Sequence, residues 1–201
     1  MIKPGVSERD IAAELTYRMM RHGAFKNSFD PIAITGAHTS MPHGVPGDSL
    51  VCAGDFVTMD FGCIRDGYCS DMTRTVAVGF ATDEMKNVYD TVLRAQLAGI
   101  AAAKPSATGI EVHSAAAKVI ADAGYGAYFG HGFGHGVGLE VHENPRFNQS
   151  CADVLVPGHV ITVEPGVYVP GLGGCRIEDM AIITKDGFID PITAPKHLIT
   201  L

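Results

Sequence analysis

The chain repeats itself once, and no other feature limits its fold as strongly. Lys3-Pro4-x-x-Ser7 recurs as Lys104-Pro105-x-x-Thr108. Each opens a segment with helical spacing, through Ile11, Ala12, Leu15 and Met19 in the first and Val112, Ala116, Val119 and Ile120 in the second. Gly23 and Gly124 end these segments, as glycine commonly does. Ser7 and Thr108 are suited to cap them, and Thr108 with Glu111 reads as a capping box. Further on, His43-x-x-Pro46 recurs as His142-x-x-Pro145. Then the stretch Gly54 to Gly62 recurs as Gly158 to Gly166, sharing the pattern G-x-apolar-apolar-T-apolar-acid-x-G. Matches in one order at nearly constant offset point to two related halves, approximately 3–79 and 82–183, with a site on a pseudo-two-fold axis.

Each repeated strand begins a hairpin. The first turns near Asp66-Gly67 and returns through Asp71; the second turns between Gly171 and Gly174 and returns through Glu178. The spacing predicts a further helix from about Thr82 to Ala103, ahead of Lys104-Pro105. Nothing corresponds to it ahead of Lys3-Pro4, so the repeat predicts a single domain over 1–201 that lacks its first helix.

Alternate residues of a strand share a face. Val57, Met59 and Phe61 then point one way, and Thr58 and Asp60 the other. In the second strand Ile161 and Val163 oppose Thr162 and Glu164. The repeat makes Asp60 and Glu164 counterparts, and Asp71 and Glu178 on the return strands read as a second pair. An acid inside a strand costs stability unless it is paired. Converging carboxylates must take up protons or bind cations. Two divalent ions would neutralise four of them, and oxygen ligands with one imidazole suit Mn, Fe, Co or Zn. Two-metal sites of this kind place the ions about 3.5–4 Å apart around a bridging water.

The glycine-rich stretch from Gly130 to Glu143 carries His131, His135 and His142. Its glycines allow the backbone to approach a site closely. A phosphate loop is a weak reading, because the Walker lysine and Ser/Thr are missing. A zincin HExxH is absent, since His142-Glu143-Asn144-Pro145 meets no second histidine.

The rest of the composition narrows the class. A formal net charge of -7 gives no electrostatic support for nucleic-acid binding. Five scattered cysteines without a CxxC pair read as free thiols in a reducing compartment. With no apolar run of membrane-spanning length and no signal-like start, a cytoplasmic protein is expected.

These residues resemble the pita-bread metallopeptidases, which include methionine aminopeptidase, aminopeptidase P, prolidase and the metal-free relative creatinase. The resemblance rests on Ser70-Asp71-Met72-Thr73-Arg74-Thr75, the run from His131 to His142, Val163-Glu164-Pro165-Gly166 and Arg176-Ile177-Glu178-Asp179. It covers essentially the whole chain and implies an α+β pita-bread catalytic domain over 1–201, from which the separate N-terminal domain usual in Xaa-Pro enzymes is expected to be missing. It also implies metal ligands at Asp60, Asp71, His135, Glu164 and Glu178. Arg-Ile-Glu-Asp and His-Gly-x-Gly-His-Gly-x-Gly-Leu are similar to the branch that cleaves Xaa-Pro bonds. The implied activity is a dinuclear Xaa-Pro dipeptidase or aminopeptidase, with Mn first among the metals and Co, Zn or Fe also suited. The implied partner is a small peptide with proline second, and a homodimer is compatible.

In that reading a bridging hydroxide attacks the carbonyl before proline, and Glu164 also relays the water proton to the leaving nitrogen. His142 would hydrogen-bond the carbonyl oxygen, and His43 would face the leaving group. His131 and Arg176 would position substrate or order the site, with a salt bridge to Asp179 or another acid as the alternative role of Arg176. Asp179 and Thr162 are expected behind the ligands. Methionine aminopeptidase is the rival activity, and a non-catalytic binding module of the same fold is the rival of another class.

Overall fold

Both helix starts of the repeat carry their caps. The computed structural model describes every residue, 1–201. Helix α1 spans Glu8–Arg21, with the Ser7 side chain accepting from Asp10 N and Asp10 reaching back to the Ser7 backbone. Four strands lead into the first repeat hairpin: β1 (Lys26–Asn27), β2 (Ile32–Thr35), β3 (Phe56–Phe61) and β4 (Cys63–Arg65). Strands β5 (Tyr68–Cys69) and β6 (Met72–Ala77) return from it. Helix α2 (Asp83–Ala102) is capped by Thr82, and α3 (Gly109–Asp122) by the expected Thr108–Glu111 box. The second half continues with β7 (Gly134–Gly136), β8 (Glu143–Phe147), β9 (Val160–Val163) and β10 (Gly166–Val169). It closes with β11 (Gly173–Arg176), β12 (Asp179–Ile183) and β13 (Phe188–Ile189).

Each repeated strand lies at the centre of an antiparallel sheet. The first sheet runs β2-β3-β6 and the second β13-β12-β9-β7-β8. The ribbons β1-β4-β5 and β10-β11 extend them. Asp66 and Gly67 both have positive φ, 52° and 88°, as a tight two-residue hairpin turn requires.

The helices cover the outer faces. Along α2, Met85, Val88, Tyr89, Val92, Ala95 and Gly99 are buried at helical spacing. All of these but Gly99 join Ile120 of α3 and Ile161 and Val163 of β9 in a core of 23 buried residues. Behind the first sheet a smaller cluster of six, including Ile11, Val57 and Val76, packs under α1. No helix is long and apolar enough to cross a membrane.

The ladder registers refine the repeat. Asp60 lies opposite Thr73, and Met59 opposite Arg74. In the second half Val163 lies opposite Asp179, so one step further Glu164 faces Glu178. The sheet counterpart of Glu178 is therefore Thr73 and not Asp71, which precedes β6. The pairing of Asp71 with Glu178 expected from Cys-x-x-acid similarity is corrected by two residues. The reason is that the hairpins between the paired strands differ in length. The register counterparts meet each other: Thr73 Oγ1 donates to Glu178 Oε2 at 2.7 Å, and Arg74 Nη2 donates to Asp179 Oδ1 at 2.7 Å.

Candidate active site

A cavity of about 430 Å³ opens where the two sheets face each other. Its wall includes Asp60, Asp71, His135 and Glu164, together with His43, His131, His142 and Arg176. Glu178 lies behind this wall, fully buried, and the candidate ligand atoms of Asp71, His135 and Glu178 lie within 4.8 Å of one another.

Each side chain is placed by a local cause. Strand β7 carries His135 between β8 and β9, and only glycine fits on either side of it. A Cβ at Gly134 would collide with the Thr162 carbonyl, and one at Gly136 with the Asn144 carbonyl. His135 N donates to Thr162 Oγ1 at 3.0 Å, and that hydroxyl donates to Glu164 Oε1 at 3.1 Å. Thr162, expected behind the candidate ligands, thus touches both His135 and Glu164.

His135 Nδ1 lies 2.9 Å from the Gly136 carbonyl, which can only accept. Nδ1 therefore carries a proton, and Nε2 is aimed at the acids, with a lone pair in the neutral ring or as a second donor in the protonated one. Nε2 stands 3.1 Å from Glu164 Oε1 and 3.7 Å from Asp71 Oδ2. In the neutral ring that nitrogen calls for a cation between it and the carboxylates.

The charges show the same need. Burial, then Asp60 and Glu164, push the Asp71 carboxyl up to about 9. Burial raises Glu178 well above the usual range, with Asp71, Glu164 and Asp60 adding to it. Burial also raises Asp60, against the opposing pull of Arg176. For Glu164 burial pushes up, but the His135 contacts, Arg176 and His131 outweigh it and leave it low. Asp60 Oδ1 and Glu178 Oε1 are buried without any hydrogen-bond partner. Unpartnered buried acceptors, an aimed imidazole and an underneutralised carboxylate cluster fit divalent cations with oxygen and nitrogen ligands.

Arg176 is 3% exposed and ties the cavity wall together. It donates through Nη2 to Asp60 Oδ2 at 2.6 Å and through Nη1 to the Tyr168 hydroxyl at 2.8 Å. Nε reaches Thr73 Oγ1 at 3.1 Å. Its acidic partner is Asp60; Asp179 is taken by Arg74 instead. His131 accepts at Nε2 from Tyr168 at 3.0 Å, and its Nδ1 donates to the Gly132 carbonyl. His142 stacks edge-on against His135 with centroids 4.4 Å apart. Burial and the neighbouring His135 lower its pKa, favouring the neutral ring.

The sequence reading missed Tyr168, Arg74 and Arg146. Tyr168 follows Glu164-Pro165-Gly166 on β10, where strand alternation could have marked it. Arg146 joins the cavity wall because β8 pairs it with His135, a partner no local pattern indicates.

With this geometry in place, comparison with known proteins is decisive. The profile described as metallopeptidase family M24 matches residues 1–185. The chain belongs to that family. It is 47% identical to the Xaa-Pro dipeptidase of Pyrococcus horikoshii over 92% of this chain and 53% of that protein. Among solved M24 structures, the Xaa-Pro dipeptidase from Bacillus anthracis superposes with a TM-score of 0.98 and 48% identity, covering all of this chain and 56% of that one. The X-Pro aminopeptidase from Thermotoga maritima gives 0.97 and 40%, covering all of this chain and 57% of that one. The α+β fold with its internal repeat is thus the pita-bread fold of these M24 proteins. The chain spans about half the length of the curated relatives it matches.

Proposed function

We propose that this chain carries the catalytic site of an M24 Xaa-Pro peptidase, with Asp60, Asp71, His135, Glu164 and Glu178 as ligands of two divalent cations. The observation that carries this reading is the convergence of Asp60, Asp71, His135 and Glu164 in one cavity wall with Glu178 directly behind it, and with buried acceptors left unpartnered. Manganese is the first choice; cobalt, zinc and iron suit the same donors. When bound, such ions polarise a carbonyl and bring the pKa of water toward neutrality.

The residues then divide the work. Glu164 stays ionised and accepts the proton of the attacking water, then delivers it to the leaving proline nitrogen. His142 donates a hydrogen bond toward the carbonyl oxygen as charge develops there. His43, also in the cavity wall, is assigned to the leaving-group side. His131 is oriented through Tyr168, and Arg176 fixes Asp60 while it walls the substrate space.

Hydrolysis of Ala-Pro and Ala-Pro-Ala against Met-Ala, each with Mn, Co and Zn, tests the reading. Cleavage before proline is expected. Cleavage of Met-Ala alone would favour a methionine aminopeptidase. No cleavage by metal-loaded, folded protein would favour a binding module.

A further inference from the structure

The family match ends at residue 185, yet the strap 190–201 beyond it is tied to the back of the site. Asp179 is fully buried and follows Glu178 in the chain. Its Oδ1 accepts from Arg74; its Oδ2 accepts from Gln96 Nε2 at 2.9 Å and from Lys196 Nζ at 2.6 Å. Lys196 also reaches Asp190 Oδ2 at 2.7 Å, and its carbonyl accepts from the Tyr89 hydroxyl at 2.9 Å. Two cations and two carboxylates therefore balance in one half-buried knot.

Arg74 extends the knot to Glu178. A guanidinium has five N–H donors, and all five are used here. Nη1 donates to the carbonyls of Thr73 at 3.0 Å and Glu178 at 2.6 Å. Nη2 serves Asp179 and the Ala194 carbonyl at 3.0 Å, and Nε serves the Pro195 carbonyl at 3.0 Å. The strap thus supplies two of the five acceptors. Beyond Lys196 it joins the edge of β6, where Ala77 N donates to Ile199 O and Leu201 N donates to Ala77 O, both at 2.9 Å. Arg74, Asp179 and Lys196 do not line the catalytic cavity.

We propose that the strap is a positioning element for the cation site, with Lys196 holding Asp179 and the strap carbonyls holding Arg74 so that Glu178 is fixed in place. A ligand with a loosened backbone must be ordered when the ion binds, which weakens binding. Partners behind metal ligands commonly change affinity by about 10–100-fold. The inference rests on the cation-binding reading of the site. Lys196 is a positioning residue and touches no substrate.

The test titrates Mn²⁺ into the wild-type chain, Lys196→Met and Lys196→Arg by calorimetry, and records unfolding midpoints in EDTA and in excess Mn²⁺. Lys196→Met is expected to bind Mn²⁺ about tenfold more weakly. Its Mn²⁺-induced rise in midpoint should shrink, because that rise follows the affinity. Lys196→Arg should restore both. Equal falls of both midpoints with unchanged Mn²⁺ affinity would mean a purely structural tie and overturn the proposal. A folded wild type that takes up no Mn²⁺ would overturn the cation reading, and the strap proposal with it. If Lys196→Met does not fold, Lys196→Gln takes its place, and wild-type affinity in that variant overturns the proposal.

Discussion

The two halves share a backbone frame and differ in the chemistry hung on it. Gly23 and Gly124 end their helices with φ of 95° and 86°, and Gly54 and Gly158 open their strands with 91° and 99°. Gly54 N donates to Val78 O at 2.7 Å, and Gly158 N to Ile183 O at 2.9 Å. The isolated bridge Ser7–Leu50 recurs as Thr108–Val154. The polar positions diverge. Thr35 pairs with Val57 and Gly136 with its counterpart Ile161, so His135 occupies the place held by Ile34 in the first half. Glu178 occupies the place of Thr73. Asp60 is partnered by Arg176, whereas its counterpart Glu164 is partnered by His135. The frame repeats together with the acids Asp60 and Glu164, and the halves diverge at His135, at Glu178 and in the partners of those two acids.

Glu164→Gln should lower kcat/KM on Ala-Pro by on the order of 10³-fold with an unchanged circular dichroism spectrum. Retained turnover would remove Glu164 from proton transfer. Asp60 and Asp71 should then separate in metal-free stability. Asp60→Asn leaves Arg176 buried without its carboxylate and should cost about 3 kcal/mol in urea unfolding. Asp71→Asn removes a repelled carboxylate and should raise metal-free stability at pH 8. If both variants behave alike, the assignment of Arg176 to Asp60 is wrong.

A third prediction concerns pH. Asp71 titrates near 9 when folded and near about 3.9 when unfolded. A raised folded pKa stabilises the fold most below the unfolded value, and this contribution is lost as pH rises through the folded one. In EDTA the unfolding midpoint should therefore fall between about pH 4 and pH 9. Asp71→Asn should reduce the slope, and Mn²⁺ should flatten it. A slope identical in wild type and Asp71→Asn would contradict the charge cluster.

The smallest effect sharpens the frame itself. Ser106 sits at φ 73°, where its counterpart Gly5 has 88°. A side chain is strained there, so Ser106→Gly should raise the midpoint by about 1–3 °C. A fall would show that the two turns are not interchangeable.

Much of this was legible in the chain because it depends on short-range rules. Caps at Ser7 and Thr108, a turn at Asp66-Gly67 and apolar alternation around Asp60 and Glu164 each need only a few neighbouring residues. The register of Glu178 was not legible, because hairpin length moves pairing without altering local composition. Nor was the choice between Arg74 and Arg176 as the partner of Asp179. Both arginines stand near acids in the sequence, and only the crossing of β6 past β11 and β12 assigns them.

By itself, then, the sequence determined the repeat, its helices and strands, and the set of acids and histidines able to bind cations. Periodicity, capping and side-chain chemistry are local and can be read residue by residue. The tertiary structure decided which groups meet. It set Glu178 against Thr73, Arg176 against Asp60 and Lys196 against Asp179, at separations of roughly a hundred residues in two of the three cases. Such contacts depend on how two sheets and a strap close around one cavity, and the free energy that selects them comes from burying both halves at once.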